Sequence, residues 1–352
     1  MTEPLERAAL AQLVRLVDPH WQVREVTPVS EGRSRLARLV VATDDGPRDC
    51  ICKAPPAGED DGGIAADARL LALLDARTSI PVPTVLGAVD EHAELPTPWY
   101  LATAVDGTGL PYEAVGRLDD DVLRTLARET GRHLGELHGV DAVDRFGLVR
   151  PAGLGALDGQ PPAGTVDEVA VPEGTADWRT FLEGWVDREL SRHADSRFSS
   201  LTPRLREWFE PRVETVEDGA APVLCRNDHG LHNLLIDPQT GHVRATLDWA
   251  YTLATTPAFD VAFATYIYGG GFLTGTPDLP DRRPLVREAL RAGYREVAPE
   301  RVDAVAERPL YELLAAVRVM NDFELLAPQL PSGTVEPTAA GLRADATAVL
   351  ET

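Results

Sequence analysis

The sequence predicts an α+β chain of two lobes, a small N-terminal lobe of antiparallel sheet plus helix and a larger, mainly helical C-terminal lobe. Three observations carry this. Short apolar runs broken by turn signals crowd into the first third, and long apolar stripes at helical spacing fill the remainder. Between them lies a Gly-containing connector, Asp106-Gly107-Thr108-Gly109. The expected division is a first lobe over residues 1–105, a connector at 106–109 and a second lobe over 110–352. With 352 residues, the chain can bury one large core or two modest ones.

In the first lobe, Leu5, Ala8, Leu10, Leu13 and Leu16 recur at helical spacing, and residues 21–29 and 36–43 read as strands. Asp44-Asp45-Gly46-Pro47 is a turn into a partner strand over 49–54, which sets Ile51 and Lys53 on one face and Cys50 and Cys52 on the other. After a polar loop at 55–63, residues 65–76 read as a helix and 82–88 and 99–105 as further strands. In the second lobe, helices are expected over 119–138, 175–193, 202–216, 257–268, 283–297 and 301–327, with Gly269-Gly270-Gly271 as a break. Residues 150–174, rich in Gly, Pro and Ala, are long for a structureless loop, which marks them as a candidate functional insertion.

Composition narrows the function classes. Acids outnumber Lys plus Arg by 56 to 34, a net charge of -22 that repels nucleic-acid phosphates and anionic membranes. No nucleic-acid or membrane partner is therefore expected. No apolar run approaches the roughly 18 residues that span a bilayer, and residues 1–7 lack a signal pattern, so a cytoplasmic protein is expected. The cysteines, Cys50, Cys52 and Cys225, are odd in number and fit neither a zinc site nor a disulfide framework, in keeping with a reducing compartment. The acidity fits a salt-loving host and also fits ordinary solubility; both readings stay open. Lys53 is the only lysine in the chain. Where every other basic position is Arg, one Lys marks either a site that wants a compact ammonium rather than a planar fork or a chance survival.

The sharpest segment runs Arg226-Asn227-Asp228-His229-Gly230-Leu231-His232-Asn233, then through an apolar run, a Pro- and Gly-containing turn and residues 242–247 into Asp248-Trp249. Two apolar runs about such a turn make a hairpin. Centred between Gln239 and Thr240, it sets Asn233 opposite Thr246, so that Asn233 and Asp248 lie two residues apart across the ribbon. Diagonal cross-strand neighbours are about 7 Å apart, a span that one divalent cation can bridge with side-chain oxygens. Asp228, in an irregular loop five residues before Asn233, is free to aim an oxygen at a hydroxyl beside that cation. Phosphoryl transfer needs a carboxylate on the acceptor and an amide plus a carboxylate on the metal. Singly, the three have plainer readings: a turn residue, a strand start and a helix cap.

Asp228, Asn233 and Asp248-Trp249 at this spacing resemble the catalytic loop and metal-binding aspartate of the aminoglycoside phosphotransferase and choline-kinase-like family, relatives of protein kinases. Pro257-Ala258-Phe259-Asp260-Val261-Ala262 is similar to the family's following segment, whose aspartate, here Asp260, steadies the catalytic loop. Cys50-Ile51-Cys52-Lys53 stands where the family has its strand lysine. The resemblance implies a protein-kinase-like fold with a nucleotide-binding first lobe and a catalytic, substrate-binding second lobe. The implied activity is a small-molecule kinase moving the γ-phosphoryl group of ATP or GTP, with Mg²⁺, onto a hydroxyl or amine.

It further implies that Lys53 sits on the α- and β-phosphates, Ile51 against the adenine, and the turn with Gly32 and Ser34 over the phosphates; an ordinary hairpin turn is the other reading of that segment. Asp67 stands where the family's helix has the glutamate that pairs with the lysine; a solvated helix residue is the other reading. Thr103 and Val105 belong to the hinge that meets the base through backbone groups. Asn233 and Asp248 are implied metal ligands and Asp228 the catalytic base. His138 ends a helix like the family's and reads as packed and hydrogen-bonded.

The catalytic loop departs from the family pattern. Arg226-Asn227 replaces His-Gly before the aspartate, and His229-Gly230-Leu231-His232 replaces Leu-His-Pro-Gly after it, so Arg226 either alters the packing of the loop or meets a phosphate. A nucleotide-binding protein without turnover is the alternative, favoured by this loop and by Asp67. A protein-directed kinase lacks support, since no long activation segment follows Asp248. Glu183, Asp187 and Glu189 read either as acids facing a cationic acceptor or as a solvated helix face.

Overall fold

The structure is a computed structural model that describes residues 4–29, 34–56, 62–155, 157–217, 219–273, 276, 279–306 and 308–351. The chain divides into two units. The first comprises Met1–Asp106, Leu148–Pro172 and Arg244–Thr252, and the second Gly107–Gly147, Glu173–Val243 and Leu253–Thr352.

In the first unit, helix α1 (Arg7–Val17) precedes β1 (Gln22–Val29), β2 (Arg35–Thr43) and β3 (Gly46–Ala54), then come α2 (Gly63–Arg77), β4 (Val85–Val89) and β5 (Trp99–Thr103). The strands form one antiparallel sheet in the order β1-β2-β3-β5-β4. Period-two alternation decides what each face does. Ala37, Leu39 and Val41 of β2 and Cys50 and Cys52 of β3 are buried together with Leu10, Leu13 and Val14 of α1. Ile51 and Lys53 take the opposite face of β3, as their spacing predicts, and Lys53 pairs across the ladder with Tyr100.

Residues 148–155 and 157–172 pack as part of the first unit. Ala88 donates to the Gln160 carbonyl and Asp90 to that of Leu157, while Gly159 donates back to Ala88. A buried pair fastens them further: Arg69 meets Asp90 through two bonds of 2.9 and 2.8 Å, and Asp90 also accepts from Gly155 and Leu157. Gly159 has φ +94, and a Cβ there would lie 2.0 Å from the Leu16 carbonyl oxygen, so this crossing requires glycine.

The second unit holds α3 (Asp120–Leu137), α4 (Trp178–Ala194), α5 (Thr202–Glu214), α6 (Pro257–Tyr268), α7 (Arg283–Val297), α8 (Pro309–Asn321), α9 (Phe323–Leu326) and α10 (Val335–Leu350). Helices α3 and α7 approach at backbone distance. A Cβ on Gly131 would stand 2.0 Å from the Leu290 oxygen, and one on Gly293 would stand 1.9 Å from that of Arg128. An aromatic cluster centres on Trp178, ringed by Phe146, Phe181, Phe259 and Tyr311, with the indole N–H donating to the Tyr311 hydroxyl at 3.0 Å.

One expectation about the helices needs correction. The single helix expected over 301–327 is a 3₁₀ turn (Pro299–Val305) followed by α8 and α9. Pro309 opens α8 and holds Arg308 extended at φ -135 and ψ 113, which a continuous helix forbids. Helix α10 was not anticipated because it buries mostly small residues, Thr338, Ala339, Gly341 and Ala346 with Leu342, and so carries little apolar contrast. Among the described residues, no helix is long and apolar enough to cross a membrane.

Candidate active site

The first unit gathers three of the singled-out residues around one ammonium group. Lys53 Nζ lies 2.6 Å from Asp67 Oδ2 and 2.9 Å from Asp248 Oδ1. Asp67 is fully buried in α2, so the reading as a solvated helix residue is excluded. Besides the ammonium it accepts from the Tyr100 hydroxyl at 2.8 Å and, through Oδ1, from the Trp249 N–H at 2.8 Å. Buried alanines at 65, 66 and 68 let this helix lie close, which offsets the methylene that aspartate lacks relative to glutamate. Burial works against the Lys53 charge, but Asp67, and after it Asp248, hold its pKa well above the ordinary lysine value. Burial, reinforced by Asp67, pushes the Tyr100 hydroxyl well up, so it stays a neutral donor. Asp248 adopts φ 58, a left-handed conformation unusual for a non-glycine residue.

The other first-unit positions lie on or beside the same sheet. Ile51 is half-buried beside Lys53 on the same strand face. Thr103 closes β5 and donates its N–H to the Thr84 carbonyl, and Ala104 donates to Asp49, so Val105 is the first residue beyond the ladder. Ser34 is a half-buried residue immediately before β2, whereas Gly32 lies outside the described residues.

In the second unit, a strand at Val223–Cys225 pairs antiparallel with Leu253–Thr255 and delivers the chain into the Asp228 loop. The loop is moored by Asp260, in the first turn of α6. This fully buried carboxylate accepts from the N–H groups of Arg226 at 3.0 Å and Asn227 at 3.1 Å. It also meets His229 Nε2 at 2.8 Å and His138 Nε2 at 3.3 Å. Burial opposes its ionisation, but His229 and His138 hold its pKa well below the usual carboxylate range. His138 also meets the Tyr294 hydroxyl at 3.1 Å, the packed and hydrogen-bonded role expected of it.

Mooring both N–H groups to one carboxylate turns the chain sharply: Asn227 takes φ 62, and Asp228 emerges half-buried. Its Oδ1 accepts from the Gly230 N–H at 2.9 Å, an Asx-type turn that aims the carboxylate. Arg226 spans the loop, donating Nη2 to the Asn233 carbonyl at 3.0 Å, which is the packing role among its two readings. Asn233, 4% exposed, ends a 3₁₀ turn, and its buried Nδ2 has no hydrogen-bond partner among the described residues. Asp237 donates to the His242 carbonyl at 2.9 Å, in the register expected of the hairpin. Glu183 and Asp187 are exposed, whereas Glu189 is buried and takes bonds from Asn321 and Arg192.

A family model described as a phosphotransferase enzyme family matches residues 25–305. The chain belongs to this family. Among solved structures of the phosphotransferase fold, it is similar to a candidate aminoglycoside phosphotransferase from Ralstonia eutropha, at 15% identity over 98% of this chain and 97% of that one, with a TM-score of 0.64. It is also similar to aminoglycoside phosphotransferase APH(4)-Ia in ternary complex with AMP-PNP and hygromycin B, at 15% identity, 97% and 98% coverage and a TM-score of 0.57. A third likeness, at 14% identity, 99% and 98% coverage and a TM-score of 0.56, is to the GDP complex of aminoglycoside 2'-phosphotransferase-IIIa. A comparison with curated protein sequences gave no match. As a family member with this α+β kinase-like architecture, the chain is a small-molecule phosphotransferase.

Two residues, one in each unit, carry no signal in the sequence. Tyr100 is opposite Lys53 only once β3 and β5 pair, and no motif marks it. Arg318, on α8, is one arginine among many and carries no local signal.

Proposed function

We propose that this phosphotransferase moves the γ-phosphoryl group of ATP or GTP, with Mg²⁺, onto a hydroxyl or amine of a small molecule in the cytoplasm. The observation that carries the reading is the sole lysine held at 2.6 Å by a buried aspartate and at 2.9 Å by Asp248. In this reading the first unit binds the nucleotide and the second the acceptor. Lys53 offers a compact positive charge to the α- and β-phosphates, and Asp67 with Tyr100 keeps that charge in place. Ile51 and the backbone at Thr103 and Val105 receive the base, with the turn at Gly32 and Ser34 over the phosphates. Solved members of the fold hold AMP-PNP or GDP, which is why both nucleosides stay in the reading.

Asp228 orients the acceptor and takes its proton, and Asp260 keeps the loop from relaxing. Asn233 and Asp248 would hold Mg²⁺. The residues fit: amide and carboxylate oxygens are hard donors, and the Asp248 side chain is 39% exposed. When bound, the ion neutralises charge on the phosphates. Three buried free cysteines suit a reducing compartment.

A thermal-shift titration with ATP or GTP and Mg²⁺, beside an Asp248→Ala variant, tests this. A ligand at about 100 times its Kd adds roughly 2.7 kcal/mol of stability. A magnesium-dependent shift lost in the variant supports the reading; no shift with either nucleotide in folded protein rejects it.

A further inference from the structure

Beside the Asp228 loop stands a cation that the roles above do not use. Arg318 lies with its guanidinium 3.9 Å from the Phe263 ring centroid and 5.4 Å from that of Trp185. Phe263 in turn packs edge-on against His229, the neighbour of Asp228, at 5.9 Å between ring centroids. Aromatic faces therefore hold the guanidinium plane, one ring removed from His229, the chain neighbour of the carboxylate proposed as base. Yet Arg318 Nη1 is buried without a partner, and among the described residues no hydrogen bond or ion pair engages any of its nitrogens.

The surrounding acids make other bonds. Glu189 takes bonds from Asn321 at 2.8 Å and Arg192 at 3.1 Å, Asp322 takes one from Arg192 at 2.5 Å, and Asp228 Oδ1 takes the Gly230 N–H. A further cation, Arg188, covers Trp185 at 3.9 Å. Burial lowers the Arg318 pKa, and Glu189, Asp228 and Asp322 pull it back up, so these carboxylates act on it without touching it. An arginine fork with a buried, unpaired donor is costly to keep, and its planar geometry matches a carboxylate or a phosphate. Tyr112 belongs to the same surroundings, its ring 5.3 Å from that of His232 and 5.5 Å from that of Phe272.

We propose that Arg318 is a specificity-determining residue that binds an oxyanion group of the acceptor, placing a neighbouring hydroxyl at Asp228. The acceptor is then an anionic hydroxylated small molecule, not a polycation. This rests on the phosphotransferase reading above and adds the acceptor's charge to it. An acidic protein of net charge -22 repels such a molecule at long range, so a local cation freed from internal pairing is what recognition requires.

The test measures ADP release from Mg-ATP by the full chain with four hydroxyl compounds of different charge: 4-hydroxybutyrate, glycerol 3-phosphate, 1,4-butanediol and choline. The two anions separate carboxylate from phosphate. Expected is a kcat/KM for at least one anion that exceeds both the diol and choline by about tenfold or more. Arg318→Gln should raise KM for that anion by about tenfold with kcat within about threefold, and Arg318→Lys should recover part of the loss. The wild-type ranking stands alone if the Gln variant does not fold. Preference for the diol or choline overturns the inference. So does a folded Gln variant with unchanged KM, or a protein that binds Mg-nucleotide yet accepts neither anion; each leaves the phosphotransferase reading intact. Absence of nucleotide binding takes both down.

Discussion

Asp228 and Lys53 carry the residue-scale account, and they fail in different ways when removed. Replacing Asp228 by Asn keeps its Asx-type contact to Gly230 available but removes the proton acceptor. Transfer should fall by about 10² to 10⁴-fold while nucleotide affinity holds, a split that steady-state kinetics beside nucleotide titration would show. Lys53→Met instead strands a fully buried carboxylate. Asp67 keeps the Tyr100 and Trp249 bonds but loses its counter-charge, so urea denaturation should record a loss of about 3–5 kcal/mol. Adding Asp67→Leu should restore much of that; a double variant no more stable than Lys53→Met would contradict the pairing.

At the scale of elements, close helix packing and loop mooring carry the weight. Gly131→Ala pushes a methyl into the Leu290 carbonyl, and backbone cannot yield as a side-chain tip can. A loss of about 1–3 kcal/mol in thermal or chemical denaturation is expected, against the small gain that Ala normally brings to a helix interior. The sequence exposed much of this level and hid a definite part. Lys53 stood out because it is the sole lysine, and Asp228 and Asn233 because their spacing brackets an irregular loop. Alternation put Ile51 and Lys53 on one strand face, where the structure has them. Asp67 could not be decided from sequence, since a helical acid is usually solvated and only the approach of α2 buries it. Pro309 was a visible break in the long helix, but helical spacing on both sides of it masked the stop. Helix α10 was illegible because small residues bury a face without announcing one, and Arg318 because no periodicity marks an unpaired cation.

Across the whole molecule, charge is the dominant physical fact. A net charge of -22 makes the folded state repel itself, and salt screens that repulsion as the Debye length falls from about 10 Å at 0.1 M to about 3 Å at 1 M. Tm should rise by several degrees over that range; a flat or falling Tm would mean that attractive pairs outweigh the excess. Acid should act through the buried histidines. Burial lowers His193 and His133 from the ordinary 6.5 to about 4, so the unfolded chain binds the extra protons between these values. Their contribution is complete above about pH 6.5 and is lost as pH falls towards 4, a decline that His193→Gln should partly flatten. The central claim is phosphoryl transfer to a small molecule with Asp228 as base. Its most direct test follows label from γ-labelled ATP into the small-molecule fraction of a metabolite extract, with Mg²⁺, for the wild type and Asp228→Ala. A labelled product formed by the wild type, and lost in a variant that still binds nucleotide, is the predicted result. A folded wild type that binds nucleotide but labels nothing, or a variant that labels as well as the wild type, would contradict the account.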